Sequence, residues 1–281
     1  TIGLIAAATF KLLPSASRII QSVNNIRFGM PSINILSDEL TVKDKNNELA
    51  KDFQNNIPNN FSKISFKDIS FSYPKSEEKV IENSTFEIFV GDKIGIIGPS
   101  GSGKSTIIDI LTGLLKPSSG EIKIDSQKVN LSQKKWYEKI GYVPQFIFLT
   151  DDTIKRNIAF GLKDSEMDEK LINNSINSAE LKDFIGSSKH GLDTKIGEFG
   201  ARISGGQRQR LGIARAVYSD TKILIFDEAT SAVDLNTEEK IINNITSLRE
   251  KTIILISHRM STLKNCNKIY EIKDKVLKKI K

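Results

Sequence analysis

The chain has 281 residues, 38% of them hydrophobic, which is enough to build a full core and excludes a disordered protein. Its formal net charge is +7, but the lysines are scattered without interleaved aromatic residues, so we expect no nucleic-acid partner. The single cysteine, Cys266, excludes an internal disulfide and is expected to pack as a small core residue.

The first 40 residues are predicted to form the end of a transmembrane helix and its cytoplasmic extension. The chain begins at Thr1 rather than at a methionine, so we expect a fragment of a longer protein. Residues 2–10 are apolar on all sides, but a complete span requires roughly 20 such residues. Apolar residues then recur at helical spacing over 16–30, accompanied by basic residues of the kind that accumulate on the cytoplasmic side. Pro14 and Pro31 mark possible kinks. An amphipathic helix of a soluble protein is the alternative.

A polar linker is predicted between residues 41 and 60. This stretch is rich in asparagine, aspartate and lysine and ends in Ile57-Pro58-Asn59-Asn60, a composition that favours a solvated chain. The motifs described below all lie after it. Residues 61–281 are therefore predicted to form one globular domain.

Strand patterns and a glycine-rich loop open the globular domain. Alternating and apolar patterns predict three strands, over residues 62–71, 84–89 and 92–97. The third strand leads into a loop that matches the phosphate-binding pattern G-x-x-x-x-G-K-[ST], and a helical pattern follows it. Glycines let backbone N–H groups converge on phosphate oxygens, and the helix adds the positive end of its dipole. The predicted nucleotide-binding residues here are Gly98, Pro99, Ser100, Gly101, Ser102, Gly103, Lys104, Ser105 and Thr106.

Two residues of this loop have chemical roles of their own. Lys104 can reach the β- and γ-phosphates of a nucleotide as a point charge, and the hydroxyl of Ser105 is placed to ligate the Mg²⁺ that bridges them. A glycine-rich turn without a ligand is the alternative, but such a turn has no need of a Lys-Ser pair after the third glycine. The loop therefore predicts a nucleotide and Mg²⁺.

A second helix start that suits an anion lies near residue 204. The segment 150–199 is mostly helical in pattern and leads to Ile203-Ser204-Gly205-Gly206-Gln207. Ser204 is a favourable helix cap, and the two glycines expose backbone N–H groups. A helix start without a ligand is the alternative. If the phosphate loop and this helix start both bind phosphate, however, a single nucleotide does not need two such sites from one chain.

Two carboxylates follow a buried strand. Residues 222–226 and 252–256 are uniformly apolar, as expected of central parallel strands that are covered on both faces. Asp227 and Glu228 follow the first strand directly, which places them at the carboxyl edge of the sheet, where α/β proteins bind ligands. Asp227 would hold the Mg²⁺ shell, and Glu228 would polarise the attacking water as general base. Strands that alternate with helices around a phosphate loop predict an open α/β sheet.

Together these motifs resemble those of the ATP-binding cassette (ABC) ATPases. The segment 203–207 is similar to the LSGGQ signature of that family, with Ile203 in place of leucine. The resemblance covers residues 61–281 and implies ATP as the nucleotide. It also implies an α/β P-loop NTPase fold, in which a RecA-like core sheet carries antiparallel strands and a helical subdomain at about 150–205. The signature residues that would bind nucleotide are Ser204, Gly205, Gly206 and Gln207.

The resemblance implies roles for further single residues. Tyr73 matches the aromatic residue that stacks on adenine, although a lone tyrosine at a strand end can also serve packing alone. Gln145 matches the glutamine that touches Mg²⁺, His258 matches the histidine that senses the γ-phosphate, and Asp234 matches a residue of the dimer seam. Phe199 departs from the family's Gly-Glu-Arg-Gly loop, which puts any contact of that arginine in doubt. The predicted catalytic residues are thus Lys104, Gln145, Glu228 and His258, and the predicted Mg²⁺ ligands are Ser105, Gln145 and Asp227.

The partners that the resemblance implies are a second cassette and a transmembrane domain. In the family, the signature of one protomer closes over the γ-phosphate held by the other, so we expect a homodimer, or a heterodimer with a second ABC half, around two ATP molecules. The chain would then hydrolyse ATP for an exporter in the inner (plasma) membrane, with this domain on the cytoplasmic side. Residues 12–40 resemble lipid-linked oligosaccharide flippases, which suggests a lipid or lipid-linked glycan as substrate. The alternatives are a soluble ABC ATPase acting on DNA or ribosomes and a P-loop small-molecule kinase, which would leave the signature unexplained.

Overall fold

The computed structural model describes residues 2–51, 57–74, 76 and 78–281, and the chain divides into two units, 1–54 and 55–281. The first unit contains one long helix, α1 (Ile2–Lys51), which continues through Pro14 and Pro31. It also continues into the predicted linker, of which residues 41–51 are helical. Residues 52–56 of that linker lie outside the described ranges. Among the described helices, none combines the length and the apolar content that a membrane crossing requires.

The second unit is built on two β-sheets. The smaller one is antiparallel, in the order β2-β1-β4-β5, with strands β1 (Lys63–Ser72), β2 (Lys79–Phe89), β4 (Ser119–Ile124) and β5 (Gln127–Lys128). The larger one contains β3 (Lys93–Ile97), β6 (Ile140–Val143), β7 (Ile223–Asp227), β8 (Thr252–Ile256), β9 (Lys268–Lys273) and β10 (Val276–Lys279). Its order is β10-β9-β3-β8-β7-β6, and its neighbours are parallel except for β9 and β10. The predicted α/β sheet with added antiparallel strands is confirmed.

Helices accompany both sheets of this unit. They are α2 (Lys104–Thr112), α3 (Lys134–Tyr137), α4 (Ile154–Ile158), α5 (Glu169–Ser178), α6 (Lys182–Ser187), α7 (Gly205–Tyr218) and α8 (Leu235–Thr246). The segment predicted to be mostly helical, 150–199, contains α4 to α6 and three short 3₁₀ turns. That prediction is therefore confirmed.

The central strands of the larger sheet separate two hydrophobic cores. Every residue of β7 and of β8 is buried, because both faces of the sheet are covered. Side chains of β7 alternate between the two faces. Leu224 and Phe226 belong to the core that includes α7 and α8, whereas Ile223 and Ile225 belong to the core that includes the antiparallel sheet and α2. Because β3, β7 and β8 are parallel, the loops that follow them leave the sheet at one edge.

The buried thiol of Cys266 gives a direct test of this packing. The residue is 2% exposed, and burial raises the pKa of its thiol to about 11. Since the thiolate is the reactive form, the native chain should react slowly with the disulfide reagent DTNB at pH 8, and denaturant should accelerate the reaction about 100-fold. A native labelling rate near that of the unfolded chain would contradict the burial.

Candidate functional site

The loop between β3 and α2 has the geometry of an anion cradle. Gly101 and Gly103 have φ angles of 76° and 99°, which side chains disfavour. A Cβ atom on Gly103 would also lie 2.8 Å from Cδ1 of Ile81. Gly103 is the N-cap of α2, so the first N–H groups of this helix have no partner within it. The loop thus presents free backbone donors at the positive end of a helix dipole.

Two polar side chains of this loop have different environments, and of the two only Lys104 lines the cleft beside the loop. Nζ of Lys104 donates to the carbonyl oxygens of Gly98 at 2.9 Å and Pro99 at 2.8 Å, so the loop itself holds the ammonium group. Oγ of Ser102 is buried and has no hydrogen-bond partner among the described residues. A buried hydroxyl without a partner is unfavourable. Ser102 is not among the residues that line the neighbouring cleft, so this hydroxyl is not assigned to a ligand.

Residues distant in the sequence line one cleft of about 550 Å³ beside this loop. The lining residues are Tyr73, Val80, Gly98, Ser100, Gly101, Gly103, Lys104, Ser105, Thr106, Gln145, Asp227, Glu228 and His258. The structure therefore brings together the phosphate loop, the glutamine, the two carboxylates and the histidine. Of the other residues predicted to bind nucleotide, Pro99, Ser102 and the segment 204–207 are not among those that line it.

Glu228 lies between two other predicted catalytic residues. Nε2 of Gln145 donates to its Oε2 at 3.2 Å, and Nδ1 of His258 is 3.6 Å from its Oε1. The backbone of Glu228 has a φ of 49°, a conformation that a non-glycine residue rarely adopts. Its N–H donates to the carbonyl of Ile256 at 3.1 Å, which anchors the turn to β8. The side chain of His258 is 58% exposed, so it is not a buried structural histidine.

Asp227 has a partner that the sequence analysis missed. The hydroxyl of Tyr142, on the neighbouring strand β6, donates to Oδ2 of Asp227 at 3.3 Å. Burial raises the pKa of Asp227, the hydrogen bond from Tyr142 opposes this, and the charge of Glu228 adds to it. Burial and the nearby Asp227 carboxylate raise the pKa of Tyr142, so the phenol stays protonated and remains a donor. The hydrogen bond fixes the orientation of the carboxylate.

The residues predicted to ligate Mg²⁺ have suitable chemistry. Ser105, Gln145 and Asp227 line the same cleft and offer hydroxyl, amide and carboxylate oxygens, which Mg²⁺ prefers. Gln145 uses its amide nitrogen for Glu228, which leaves its oxygen for a cation. The described residues contain no cluster of three or more His, Cys, Asp or Glu side chains that could hold a metal. A phosphate-loop site does not need one, because phosphate oxygens supply ligands.

Tyr73 has contacts that fit packing at a strand end and an exposed surface that fits stacking on a base. Its ring meets Phe71 edge to face, with 5.0 Å between the ring centroids, and its hydroxyl lies 3.1 Å from Oγ1 of Thr106. The ring is also 43% exposed and lines the cleft. Tyr73 is therefore held in place by packing and still offers a ring surface to a base.

The second predicted anion site begins α7. Ser204 is the N-cap: its Oγ accepts from the N–H of Gln207 at 3.2 Å, and Oε1 of Gln207 accepts from the N–H of Ser204 at 2.8 Å. The predicted cap is confirmed, and the side chain of Gln207 is engaged in it. A Cβ atom on Gly206 would lie 2.9 Å from the carbonyl oxygen of Ala232, so glycine permits close packing on the loop after β7. Since the segment does not line the cleft, the two predicted anion sites of the chain are separate.

Gln209, which no sequence motif indicates, connects α7 to the loop that follows Glu228. The residue is 7% exposed. Its Nε2 donates to Oγ of Ser231 at 2.8 Å, and its Oε1 accepts from the N–H of Ala232 at 2.8 Å. Asp234, at the end of this loop, caps α8 by accepting from the N–H of Thr237 at 3.0 Å. The start of α7 and the loop after Asp227 and Glu228 are thus fixed to each other.

Comparisons with known proteins find related sequences and a related structure. The family model described as ABC transporter matches residues 81–231. The chain is 40% identical over 220 residues to ABC transporter B family member 13 of Arabidopsis thaliana. It is 40% identical over 213 residues to the ATP-dependent lipid A-core flippase of Pasteurella multocida, and 42% identical over 208 residues to the leukotoxin translocation ATP-binding protein LktB of Mannheimia haemolytica.

These matches cover most of the chain but a minor part of each relative. They include 78%, 74% and 73% of the chain, and 18%, 36% and 29% of the respective relatives. A solved structure of a bacterial Atm1-family ABC exporter with ATP bound matches with a TM-score of 0.71 and 34% identity. That match covers 79% of this chain and 40% of the other. The chain thus spans well under half the length of these proteins.

The cap of α7 can be tested by thermodynamics. Ser204→Ala removes the oxygen that accepts from the N–H of Gln207, so the free energy of unfolding, measured in urea, should fall by about 1 kcal/mol. Ser204→Asp keeps an acceptor at the same position and should retain most of the stability. Equal losses in the two variants would show that the hydroxyl does not act as a cap.

Proposed function

This chain belongs to the ABC transporter family, and we propose that it is the ATP-binding and ATP-hydrolysing part of an ABC exporter. The observation that carries the proposal is the convergence of Lys104, Gln145, Asp227, Glu228 and His258 on one cleft. The relatives support export, since they include a lipid A-core flippase, a leukotoxin translocation protein and an Atm1-family exporter.

The geometry supports hydrolysis of ATP by an attacking water. The phosphate loop and Lys104 would bind the β- and γ-phosphates, and Ser105, Gln145 and Asp227 would hold Mg²⁺. The ion supplies charge neutralisation when it is bound. Glu228 orients the water and accepts its proton. Gln145 holds the carboxylate by a hydrogen bond of 3.2 Å, and Nδ1 of His258 lies 3.6 Å from it. Phosphoryl transfer needs mainly positioning and electrostatic stabilisation, and this arrangement provides both.

A second copy of the chain would complete each ATP site. The helix start at Ser204 exposes N–H groups, as a phosphate site requires, but it is separate from the cleft of its own chain. In a two-fold arrangement, the same surface of each copy meets its partner, so the helix start of one copy closes the cleft of the other around ATP. A second ABC half with the same motifs would satisfy this geometry equally well, which leaves a homodimer and a heterodimer both consistent with the proposal.

An exposed aromatic surface supports docking to a transmembrane domain. Phe146 is 86% exposed, Phe148 57% and Phe199 58%, and the rings of Phe148 and Phe199 meet edge to face at 5.4 Å. Exposed apolar clusters mark interaction sites. Phe146 follows Gln145 directly, so a partner bound here would contact the segment that reaches Glu228. Phe199 replaces the family's arginine with a ring, which makes this contact apolar rather than charged.

The exposed apolar side chains of the first unit favour a position at the membrane. Apolar side chains along α1 are exposed, among them Phe10 at 84%, Ile26 at 64% and Phe28 at 90%, which is unfavourable in water and favourable against lipid or a partner helix. We infer the inner (plasma) membrane, with the second unit on the cytoplasmic side where ATP is available. The substrate class is a lipid or lipid-linked glycan, which the similarity to a lipid A-core flippase supports.

Hydrolysis can be separated from binding with two substitutions. Glu228→Gln removes the general base and keeps the phosphate loop, so ATP turnover should fall by about 100-fold or more while the affinity for ATP is retained. Lys104→Ala should instead weaken binding of ATP itself, because it removes the cation at the β- and γ-phosphates. Turnover is measured by phosphate release and affinity by a fluorescent ATP analogue. Turnover near the parent rate in Glu228→Gln would show that Glu228 is not the base.

A further inference from the structure

Glu238 is a buried carboxylate whose three donors come from two loops of the site. It lies on α8 and is 5% exposed. Its Oε1 accepts from the hydroxyls of Thr230 at 2.8 Å and Thr262 at 3.0 Å. Its Oε2 accepts from Nη1 of Arg259 at 2.9 Å. Both carboxylate oxygens are therefore engaged, and the buried charge is paired.

The donors belong to the two loops that carry the proposed base and the histidine. Thr230 follows Glu228 by two positions in the loop after β7, and Arg259 follows His258 directly in the loop after β8. Thr262 lies further along the second loop, in a 3₁₀ turn. Glu238 thus links the loops whose side chains meet where Oε1 of Glu228 is 3.6 Å from Nδ1 of His258.

Stability alone does not call for a charge at this position. Burying an ion pair carries a large desolvation cost, and well-packed apolar side chains of similar volume are often at least as stable. A carboxylate that accepts three hydrogen bonds from two loops fixes the direction of each donor. Apolar contacts have no such directionality. The arrangement is therefore suited to setting geometry.

We propose that Glu238 is a positioning residue for ATP hydrolysis, which holds the loop of Glu228 and the loop of His258 in register. The inference rests on the proposed function, because it assumes that the cleft hydrolyses ATP. Among the described residues, no hydrogen bond joins Glu238 to the phosphate loop. We call the three hydrogen bonds of Glu238 the clamp. Their loss should slow the chemical step and leave the affinity for ATP unchanged.

The test compares two neighbouring glutamates on α8 in the full 281-residue chain. Glu238→Gln keeps the size of the side chain and removes the charge that pairs with Arg259. We expect kcat to fall at least about tenfold and KM for ATP to stay within about twofold. Glu239→Gln is the matched control, because Glu239 is exposed and pairs with Lys264 at the surface. Its kcat and KM should both stay within about twofold of the parent.

A spectroscopic readout distinguishes positioning from a general loss of stability. The chain has two histidines, so the ring resonances of His258 can be assigned by NMR with His190→Gln. Glu238→Gln should shift the resonances of His258, and Glu239→Gln should leave them in place. Thr262→Val keeps the shape of its side chain and removes one donor, so it should change kcat and the resonances in the same direction, by less. This milder variant applies if Glu238→Gln does not fold.

The outcomes separate the clamp from the proposed function. A parent chain whose ATP turnover does not exceed that of Glu228→Gln would overturn the proposed function, and with it the role assigned to Glu238. A parent that hydrolyses ATP, with Glu238→Gln equal to Glu239→Gln in kcat, KM and His258 resonances, would overturn the clamp alone. A parallel rise in KM and fall in kcat would do so as well, because it would show that Glu238 supports the whole cleft.

Discussion

The site depends on parallel strands that end in register at one edge of a sheet. Ile96 of β3 and Asp227 of β7 are both paired with Ile256 of β8, so the phosphate loop, the carboxylates and the loop of His258 all begin at the same level. Because both faces of β7 and β8 are buried, a slip of register by one residue would exchange side chains between the two cores and disrupt the packing of both. The hydrophobic cores thus fix the relative positions of polar groups that are distant in the sequence.

The turn after β7 illustrates how strain is held in place. Glu228 has a φ of 49°, and such a conformation persists where the surroundings determine it. Glu238 holds this turn through Thr230, and Gln209 holds it through Ser231 and Ala232. Gln209 belongs to the helix that begins at the signature, so the turn joins the cleft of one chain to the surface proposed to close the partner's cleft. This connection gives the two proposed nucleotide sites a physical route by which to affect each other.

The sequence predicted the parts whose chemistry is local and missed those set by packing. The phosphate loop, the cap at Ser204 and the buried strands carry their own patterns, and the structure places them as predicted. Tyr142, Gln209 and Glu238 act through contacts between elements, for which single residues give no signal. Strands β5, β6, β9 and β10 were missed because β5 and β6 are short and β9 and β10 carry charged residues. The linker at 41–60 stays a prediction; within it, residues 41–51 are helical and Ile57 is 2% exposed.

The central claim is that one ATP site needs residues of two chains, and cross-linking tests it most directly. In a Cys266→Ser, Glu228→Gln background, Ser100→Cys places a thiol at an exposed position of the cleft. Gly205→Cys adds a second one, since a Cβ there would meet only Ala232 at an ordinary 3.5 Å. With mild oxidant, Mg²⁺ and ATP should give a doubled mass on a non-reducing gel, whereas ADP or either single cysteine should not. A link within one chain, or equal linking in ADP, would contradict the account.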